Sequence, residues 1–256
     1  LVDRPLVDTN IIPTTLTQAG MGFFGTFYPT ELSKLDYEIY ATNGFGNNIN
    51  STNGIRSARL FRYDRDNNNN PAITARVGFS PFLGLEFGGS VHHGKYETLG
   101  SDYLTITALD CAYQRGPFEL VGEGALADID TGRDIKTSRT AAKRLIPSSM
   151  FGYYVEPRFH FMPKFLHDLA PTIFTDRSTF TLTGRWDQID LGEIGHSVAD
   201  TRGEGGRANR RDRATFGLNY RYTEDTVFKL DYQFNIEHSQ NHVDDNAFLF
   251  GVATYF

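Results

Sequence analysis

The feature that most constrains this chain is a strict alternation of apolar and polar residues that recurs along its length. In 227–237, VFKLDYQFNIE, aromatic and aliphatic residues occupy the even positions, and Lys, Asp, Gln, Asn and Glu occupy the odd ones. The same period of two is found in 213–222, RATFGLNYRY, and in 151–161, FGYYVEPRFHF. Successive side chains of an extended chain point to opposite faces, so this pattern predicts β-strands whose two faces meet different surroundings.

Eleven segments are predicted to be strands. Most reach the roughly 9–11 residues that a tilted strand needs to cross a bilayer, whereas about 5–6 residues are typical of globular proteins. In chain order they are 19–28, 35–44, 72–80, 83–93, 102–114, 117–127, 151–161, 179–188, 213–222, 227–237 and 246–256. The predicted fold class is therefore all-β, an antiparallel transmembrane β-barrel of the outer-membrane type that occupies residues 1–256 as a single domain.

The composition agrees with a barrel wall. Mean hydropathy is -0.38, as expected where lipid-facing and lumen-facing residues alternate. Aromatic residues make up 14% of the chain, there are 25 glycines, and the formal net charge of -6 argues against a nucleic-acid partner. The single cysteine, Cys111, excludes an internal disulfide and a cysteine-rich zinc site. No cofactor, metal site or catalytic residue is predicted, because adjacent His92 and His93 would point to opposite faces of a strand and no nucleophile motif frames any serine.

The connections between the segments alternate between short and long, which is typical of outer-membrane barrels with short periplasmic turns and long outer loops. The stretch 164–177, KFLHDLAPTIFTDR, is the exception, a medium-length periplasmic connection in which a helical turn is expected. The short connections are 29–34, 80–82, 115–117 and 223–226, and the long ones are 47–70, 130–149 and 192–212.

This alternation also gives each strand a direction. If the last strand descends to the periplasm, the first of eleven also descends, and residues 1–16 are expected outside the cell. Because bacterial single-chain barrels have an even number of strands, we expect this chain to be the C-terminal part of a larger even-stranded barrel whose upstream strands are missing.

Several segments carry a family resemblance. The stretches ITALDCAYQRGPFELVGEGA (106–125), FTLTGRWDQIDLGE (180–193) and RATFGLNYRYTEDTVFKLDYQF (213–234) resemble the phosphate-selective porin O/P family of bacterial outer-membrane porins. The resemblance covers roughly residues 100–256. It implies passive uptake through a water-filled channel, usually in a homotrimer, and phosphate-selective members line the pore with Arg and Lys. The C-terminal strand is similar to the signal by which such barrels are recognised by the barrel-assembly machinery, carried here by Phe248, Phe250, Val252 and Phe256.

The polar positions of the strands supply candidates for the pore lining, since charged side chains at a constriction set ion selectivity. Basic candidates concentrate in the C-terminal strands and acidic ones in the N-terminal strands, so the charges either create a transverse field across the lumen or form ion pairs that stiffen the wall. The pore-lining candidates are Arg76, Arg158, Arg185, Arg213, Arg221, Lys229, Glu119, Glu123, Glu156, Asp187 and Asp231, and further acidic positions on the same faces are Asp36, Glu38, Glu86, Asp110 and Glu237.

The loop ADTRGEGGRANRRDR (199–213) is dense in arginine. Three interpretations stay open: a loop folded into the pore, a contact with the phosphates of lipopolysaccharide, since arginine suits phosphate through bidentate bonds, or a solvated run of charge.

The sequence thus favours a porin in the bacterial outer membrane that passes small hydrophilic solutes, including phosphate-like anions. The expected partners are outer-membrane lipid and lipopolysaccharide, the barrel-assembly machinery, further copies in a homotrimer and small-molecule solutes, with no nucleic acid. The alternative is a non-conducting barrel that acts as a structural or partner-binding element in an outer-membrane assembly. A soluble β-sandwich is a third alternative, disfavoured because charges recur on the polar face of strand after strand.

Overall fold

The alternating segments form one antiparallel sheet of eleven strands in a computed structural model that describes residues 1–59, 68–98, 101–130, 146–175, 177–192, 210–238 and 245–255. Two short α-helices and one 3₁₀ helix accompany the sheet, and no helix in these residues is long and apolar enough to cross a membrane. The helices are α1 (Leu6–Asn10), the 3₁₀ helix (Ile55–Ala58) and α2 (Lys164–Leu169). The strands are β1 (Gly20–Phe27), β2 (Lys34–Thr42), β3 (Ala72–Phe82), β4 (Leu85–Lys95), β5 (Tyr103–Arg115), β6 (Phe118–Ile129), β7 (Ser149–Phe161), β8 (Thr179–Asp190), β9 (Arg210–Arg221), β10 (Thr226–Glu237) and β11 (Ala247–Thr254).

The strand order in the sheet is the order in the chain, β1 to β11, and every neighbouring pair is antiparallel. All eleven predicted strands are confirmed, with ends shifted by a few residues, and α2 confirms the helical turn expected in 164–177. The sheet is open: among the described residues, β1 pairs with β2 alone and β11 pairs with β10 alone. The closed barrel stays a prediction.

One predicted turn is wrong. The sequence SPF at 80–82 was expected to join two strands, but β3 continues to Phe82 and the reversal falls on Leu83 and Gly84. Gly84 has φ 94°, a left-handed conformation that suits glycine. The register shifts between Phe79 and Phe82, so a β-bulge lets the strand pass through Pro81, which has no N–H to donate to the ladder.

The two ends of the sheet differ in their connections, as predicted. The short-turn end carries 28–33, 83–84, 116–117, 162–178 and 222–225. The opposite, long-loop end carries 43–71, 96–102, 130–148, 191–209 and 238–246.

The hydrophobic core is small and asymmetric. It joins α1, the loop 43–59 and the long-loop ends of the central strands. Its members include Val7 of α1, Ile11 directly after α1, Ile55 of the loop, and Ala127 and Ile189 of the sheet. Burial of an aliphatic side chain contributes about 1.5–3 kcal/mol, so this core anchors the N-terminal residues to one face of the sheet.

Candidate functional site

The two faces of the sheet have opposite chemistry. On the open face the central side chains are apolar and exposed; Phe216, for example, keeps 60% of its surface accessible and Phe250 keeps 66%. On the covered face the neighbouring positions are charged, and Asp187 of β8 pairs in register with Arg213 of β9. The open face includes Leu109, Val155, Trp186, Phe216, Leu230 and Phe250, and the covered face includes Arg76, Glu123, Glu156, Arg185, Arg213 and Asp231.

The covered face takes its name from the N-terminal segment, residues 1–16, which lies across it. The carbonyl of Leu1 accepts a 3.0 Å hydrogen bond from Lys229 Nζ, and the Val2 N–H donates to the Asp231 carboxylate. Further along, the Leu6 N–H donates to Asp187 Oδ1 at 3.1 Å. The segment therefore runs from β10 toward β8, and its backbone groups are bound by side chains of the sheet.

Residues 1–16 thus lie on the covered face and not beyond the long-loop end of the sheet. The expectation that they lie outside the cell stays a prediction. Asn10 approaches Arg211 near the long-loop end, with 3.4 Å between Asn10 Oδ1 and Arg211 Nη2. Gly54 of the loop 43–59 lies against the carbonyl of Asn10, where a Cβ would collide with that oxygen, and its φ is 62°. The segment thus returns to the long-loop end only after it has crossed the polar face.

A continuous charge network occupies the middle of the covered face on β6, β7 and β8. Arg158 bridges Glu119 and Glu156, with both Nη–Oε distances 2.6 Å. Arg185 continues the chain to Glu156 at 3.4 Å and to Asp187 at 2.8 Å. Glu156, Arg185 and Asp187 are buried, so each charge depends on the next for compensation.

Arg185 also holds the N-terminal segment. Its Nη1 donates to the carbonyl of Asp3 at 3.0 Å, and its Nη2 lies 3.4 Å from the carbonyl of Arg4. On β10, Gln233 Nε2 donates to Asp3 Oδ2 at 3.1 Å. The network and the segment are therefore one structure, because the same guanidinium serves both.

A second ion pair forms across a glycine. Arg76 on β3 and Asp110 on β5 make a bidentate contact, with 2.8 Å between Nη2 and Oδ1, although β4 lies between their strands. The intervening residue of β4 is Gly88, and a Cβ there would strike both side chains. The missing side chain of Gly88 gives the pair its space.

The basic residues of β9 and β10 are less fully neutralised. Arg213 Nε donates to Asn235 Oδ1 at 2.6 Å, and the nearest carboxylate contact in the described residues is Asp3 at 3.8 Å. Arg221 is exposed and has no ion pair within the ranges that the structure describes, and Lys229 donates to a backbone carbonyl. The positive charges on this side of the covered face are therefore less closely paired than those on β6 to β8.

Asp8 of α1 is the acidic residue of the N-terminal segment with the most perturbed environment. Burial, with a smaller contribution from Asp187, raises the pKa of the Asp8 carboxyl to about 6, against opposing effects of a hydrogen bond to Glu123 and of the charges of Arg185 and Arg4. Two carboxyl groups in hydrogen-bond contact are stable when they share one proton. The contact between Asp8 and Glu123 is therefore favoured at acidic pH.

All eleven predicted pore-lining residues lie on the covered face. The structure joins Glu119, Glu156, Arg158, Arg185 and Asp187 in one network. The other six contact different partners: Arg76 contacts Asp110, Glu123 contacts Asp8, Arg213 approaches Asp3, Lys229 and Asp231 bind the backbone of residues 1–2, and Arg221 is exposed. The stiffening interpretation thus fits the central strands, and the field interpretation fits β9 and β10; the pore-lining role stays a prediction.

Other predictions have mixed outcomes. Phe248, Phe250 and Val252 share the open face of β11, whereas Phe256 and residues 199–209 of the arginine-dense loop lie outside the described residues. His92 and His93 do point to opposite faces, as their hydrogen bonds to Thr74 and Thr105 indicate.

Three residues of this arrangement are not among the predicted candidates: His160, Asp3 and Arg4. His160 extends the central network, with 3.1 Å between Nε2 and Glu119 Oε2 and 2.9 Å between Nδ1 and Thr181 Oγ1. Its position in the alternation of 151–161 was the available signal. No periodic signal marked Asp3 and Arg4, because the N-terminal segment is mostly neither strand nor long helix.

The fold and its charged face define an all-β protein built on a single antiparallel sheet. No family model matches the chain. It is similar to an uncharacterized protein from Aquifex aeolicus (strain VF5), with 23% identity over 244 residues that cover 90% of this chain and 51% of the relative. The chain thus spans about half the length of that relative.

Proposed function

We propose that the sheet is part of the wall of a bacterial outer-membrane β-barrel, and that this barrel is a porin-type channel for small hydrophilic solutes, including anions. The observation that carries the proposal is the distribution of polarity, with large apolar side chains exposed on one face and buried charges on the other. A soluble sandwich has the reverse arrangement, because its apolar face is packed and its polar face meets solvent.

The open face suits contact with lipid. Apolar side chains cover the middle of β5 to β11, and Leu109 keeps 69% of its surface accessible. Toward the short-turn end the ring centroids of Phe159 and Phe161 lie 5.7 Å apart, and those of Phe180 and Tyr220 lie 4.7 Å apart. These rings form a cluster near one end of the strands. Outer-membrane barrels carry comparable belts of aromatic residues at the two membrane interfaces.

Closure of the wall is part of the proposal. The outer edges of β1 and β11 are unpaired among the described residues, and unpaired backbone groups are very unfavourable in hydrocarbon. We therefore propose that further strands join β1 to β11 and close the barrel. The proposed partners are outer-membrane lipid and lipopolysaccharide, the barrel-assembly machinery and further copies in a homotrimer.

Anion passage follows from the charges of the covered face. Carboxylates on the central strands are neutralised by Arg158 and Arg185, whereas Arg211, Arg213 and Arg221 on β9 have mainly neutral partners or none in the described part of the chain. A solute that passes between the N-terminal segment and β9 would meet a positive surface. The segment itself narrows the channel.

A non-conducting barrel with a structural or partner-binding role is the second candidate, and the N-terminal segment is the observation that favours it. Residues 1–16 reach from β10 and β11 to β3 and cover much of the polar face. If they fill the lumen, solutes do not pass.

Conductance of the purified full-length protein in a planar bilayer, measured under a salt gradient, separates the two candidates. A channel gives stepwise conductance with anion preference. We expect Arg213→Gln to lower that preference, and Arg210→Gln, a control on the same strand but on the open face, to leave it unchanged. Stable insertion without conductance would refute the channel and favour the non-conducting barrel. Failure to insert into lipid would refute both candidates.

A further inference from the structure

A cavity lies between the N-terminal segment and strands β3 to β5, with a volume of about 430 Å³. Sites for small molecules have volumes of roughly 300–1,000 Å³. We propose that this cavity binds a small organic monocarboxylate with an apolar body, such as an aromatic acid. The inference names a class of solute for the proposed channel. Transport of that solute rests on the proposed function, whereas its binding to the cavity does not.

The walls of the cavity are mainly apolar. The N-terminal segment contributes Ile12 and Leu16, the loop 43–59 contributes Phe45, and β5 contributes Ile106 and Ala108. Phe45, Ile106 and Ala108 are buried, so this side is already packed without an occupant. Such walls favour an aromatic ring or a short aliphatic chain, because burial of apolar surface contributes about 25 cal/mol per Å².

The position of Phe45 is fixed by its neighbours. Its ring meets the ring of His92 edge to face, with 4.8 Å between the centroids and an interplanar angle of 76°. His92 is itself held by Thr74, with 2.8 Å between Nδ1 and Oγ1. A fixed aromatic wall reduces the ordering cost of binding.

Arg4 supplies the charge. It is the one charged residue among those that line the cavity in the described part of the chain. The residue is exposed, and its guanidinium makes no hydrogen bond or ion pair with the described residues. Asp8 interacts with it electrostatically without a hydrogen bond. A guanidinium binds a carboxylate through two parallel hydrogen bonds, and Ser90 on β4 offers a hydroxyl at the same cavity.

The combination distinguishes an organic acid from inorganic phosphate. A phosphate ion would place a multiply charged, fully hydrated group against Phe45 and Ile106, and one guanidinium cannot replace its water. A monocarboxylate needs only the bidentate contact, and its apolar body takes the walls. The geometry therefore selects for charge and hydrophobicity together.

Calorimetric titration of the detergent-purified full-length protein with benzoate tests the site. Benzyl alcohol keeps the ring without the charge, and phosphate keeps the charge without the ring; we expect both to bind at least tenfold more weakly than benzoate. Arg4→Gln should weaken benzoate binding at least tenfold, and Ala108→Leu, which fills the cavity with a residue of high apolarity, should do the same. Arg115→Gln, at the exposed end of β5 beside the short turn 116–117, is the matched control and should bind as the parent does.

Benzoate binding equal to that of phosphate, or unchanged in Arg4→Gln and Ala108→Leu, would overturn the proposal. Circular dichroism of each variant shows whether the sheet is intact, and because the two variants act through different properties, a folding defect in one leaves the other decisive. Conductance is read separately. Benzoate binding without conductance would refute the channel function and support the binding site. Conductance without benzoate binding would support the channel function and refute the binding site.

Discussion

Replacement of Arg185 by methionine is expected to destabilise the protein strongly, because the charges around it are out of contact with water. The side chains of Arg185 and Asp187 are 2% and 0% exposed. Without the guanidinium, Asp187 keeps only the Leu6 N–H as a hydrogen-bond donor within the described residues, and two carbonyls of the N-terminal segment lose their donor. Loss of one partner from a buried ion pair costs about 3–5 kcal/mol.

Equilibrium unfolding in urea, with the protein in lipid vesicles or detergent, measures this loss. Arg76→Met provides the comparison: the side chains of Arg76 and Asp110 are 39% and 24% exposed, so its cost should be about 1 kcal/mol or less. The double variant Arg185→Met, Asp187→Asn should recover about half of the single loss, because no uncompensated charge remains at position 187. A loss in Arg185→Met no larger than that in Arg76→Met would refute the assignment of a buried network.

Three further predictions follow from particular positions. Gly88→Val should lower the free energy of unfolding by about 1–3 kcal/mol in the same assay, because the new side chain displaces the ion pair of Arg76 and Asp110. The control is Gly89→Val, whose Cβ would lie 3.4 Å from Leu109 Cδ2 on the open face; it should change the free energy of unfolding by no more than about 0.5 kcal/mol. The pKa of Asp8 is raised to about 6, so the protonated carboxyl stabilises the bound segment at low pH, and this stabilisation is lost as pH rises from about 4 to about 6. Protection factors from hydrogen exchange of residues 1–12 should fall over that interval. Asp8→Asn should reduce the dependence, because it removes one of the two carboxyl groups that meet there and leaves Glu123. If the open face contacts lipid, Phe216→Lys should lower stability in vesicles by about 2–4 kcal/mol, and Tyr222→Lys, beside the short-turn end, by about 1 kcal/mol or less; equal losses at the two positions would argue against a membrane.

The strands could be predicted from the sequence because each carries its own signal. The alternation in 227–237 identifies both β10 and the face of every side chain on it, without knowledge of its neighbours. The failure at 80–82 arose from the opposite situation: Pro81 is typical of a turn, yet a bulge accommodates it inside β3. Local composition cannot distinguish these two uses of proline.

The partners of the charged residues could not be predicted in the same way. Glu119 and Arg158 meet because β6 and β7 pair in a particular register, and the long connection 130–148 leaves that register undetermined by the sequence. The position of the N-terminal segment is still harder to predict, because LVDRPLVDTN has no strand period. The residues that hydrogen-bond its backbone lie far away in the sequence, on β8 and β10. An arginine at position 185 could line a pore or bind the N-terminal segment. Its residue type alone does not distinguish these two roles.

The course of the N-terminal segment has a consequence for the order in which the protein assembles. Neighbouring strands joined by short turns, such as β9 and β10, pair across a few residues, so the sheet grows by local steps. Val2 and Asp231, by contrast, are 229 residues apart in the chain, and Leu6 and Asp187 are 181 apart. Closing such long loops is entropically costly, and the carboxylates that receive the segment come together only when β8 to β10 have paired. The segment therefore takes its place last, as a kinetic phase that follows sheet formation and depends on Arg185.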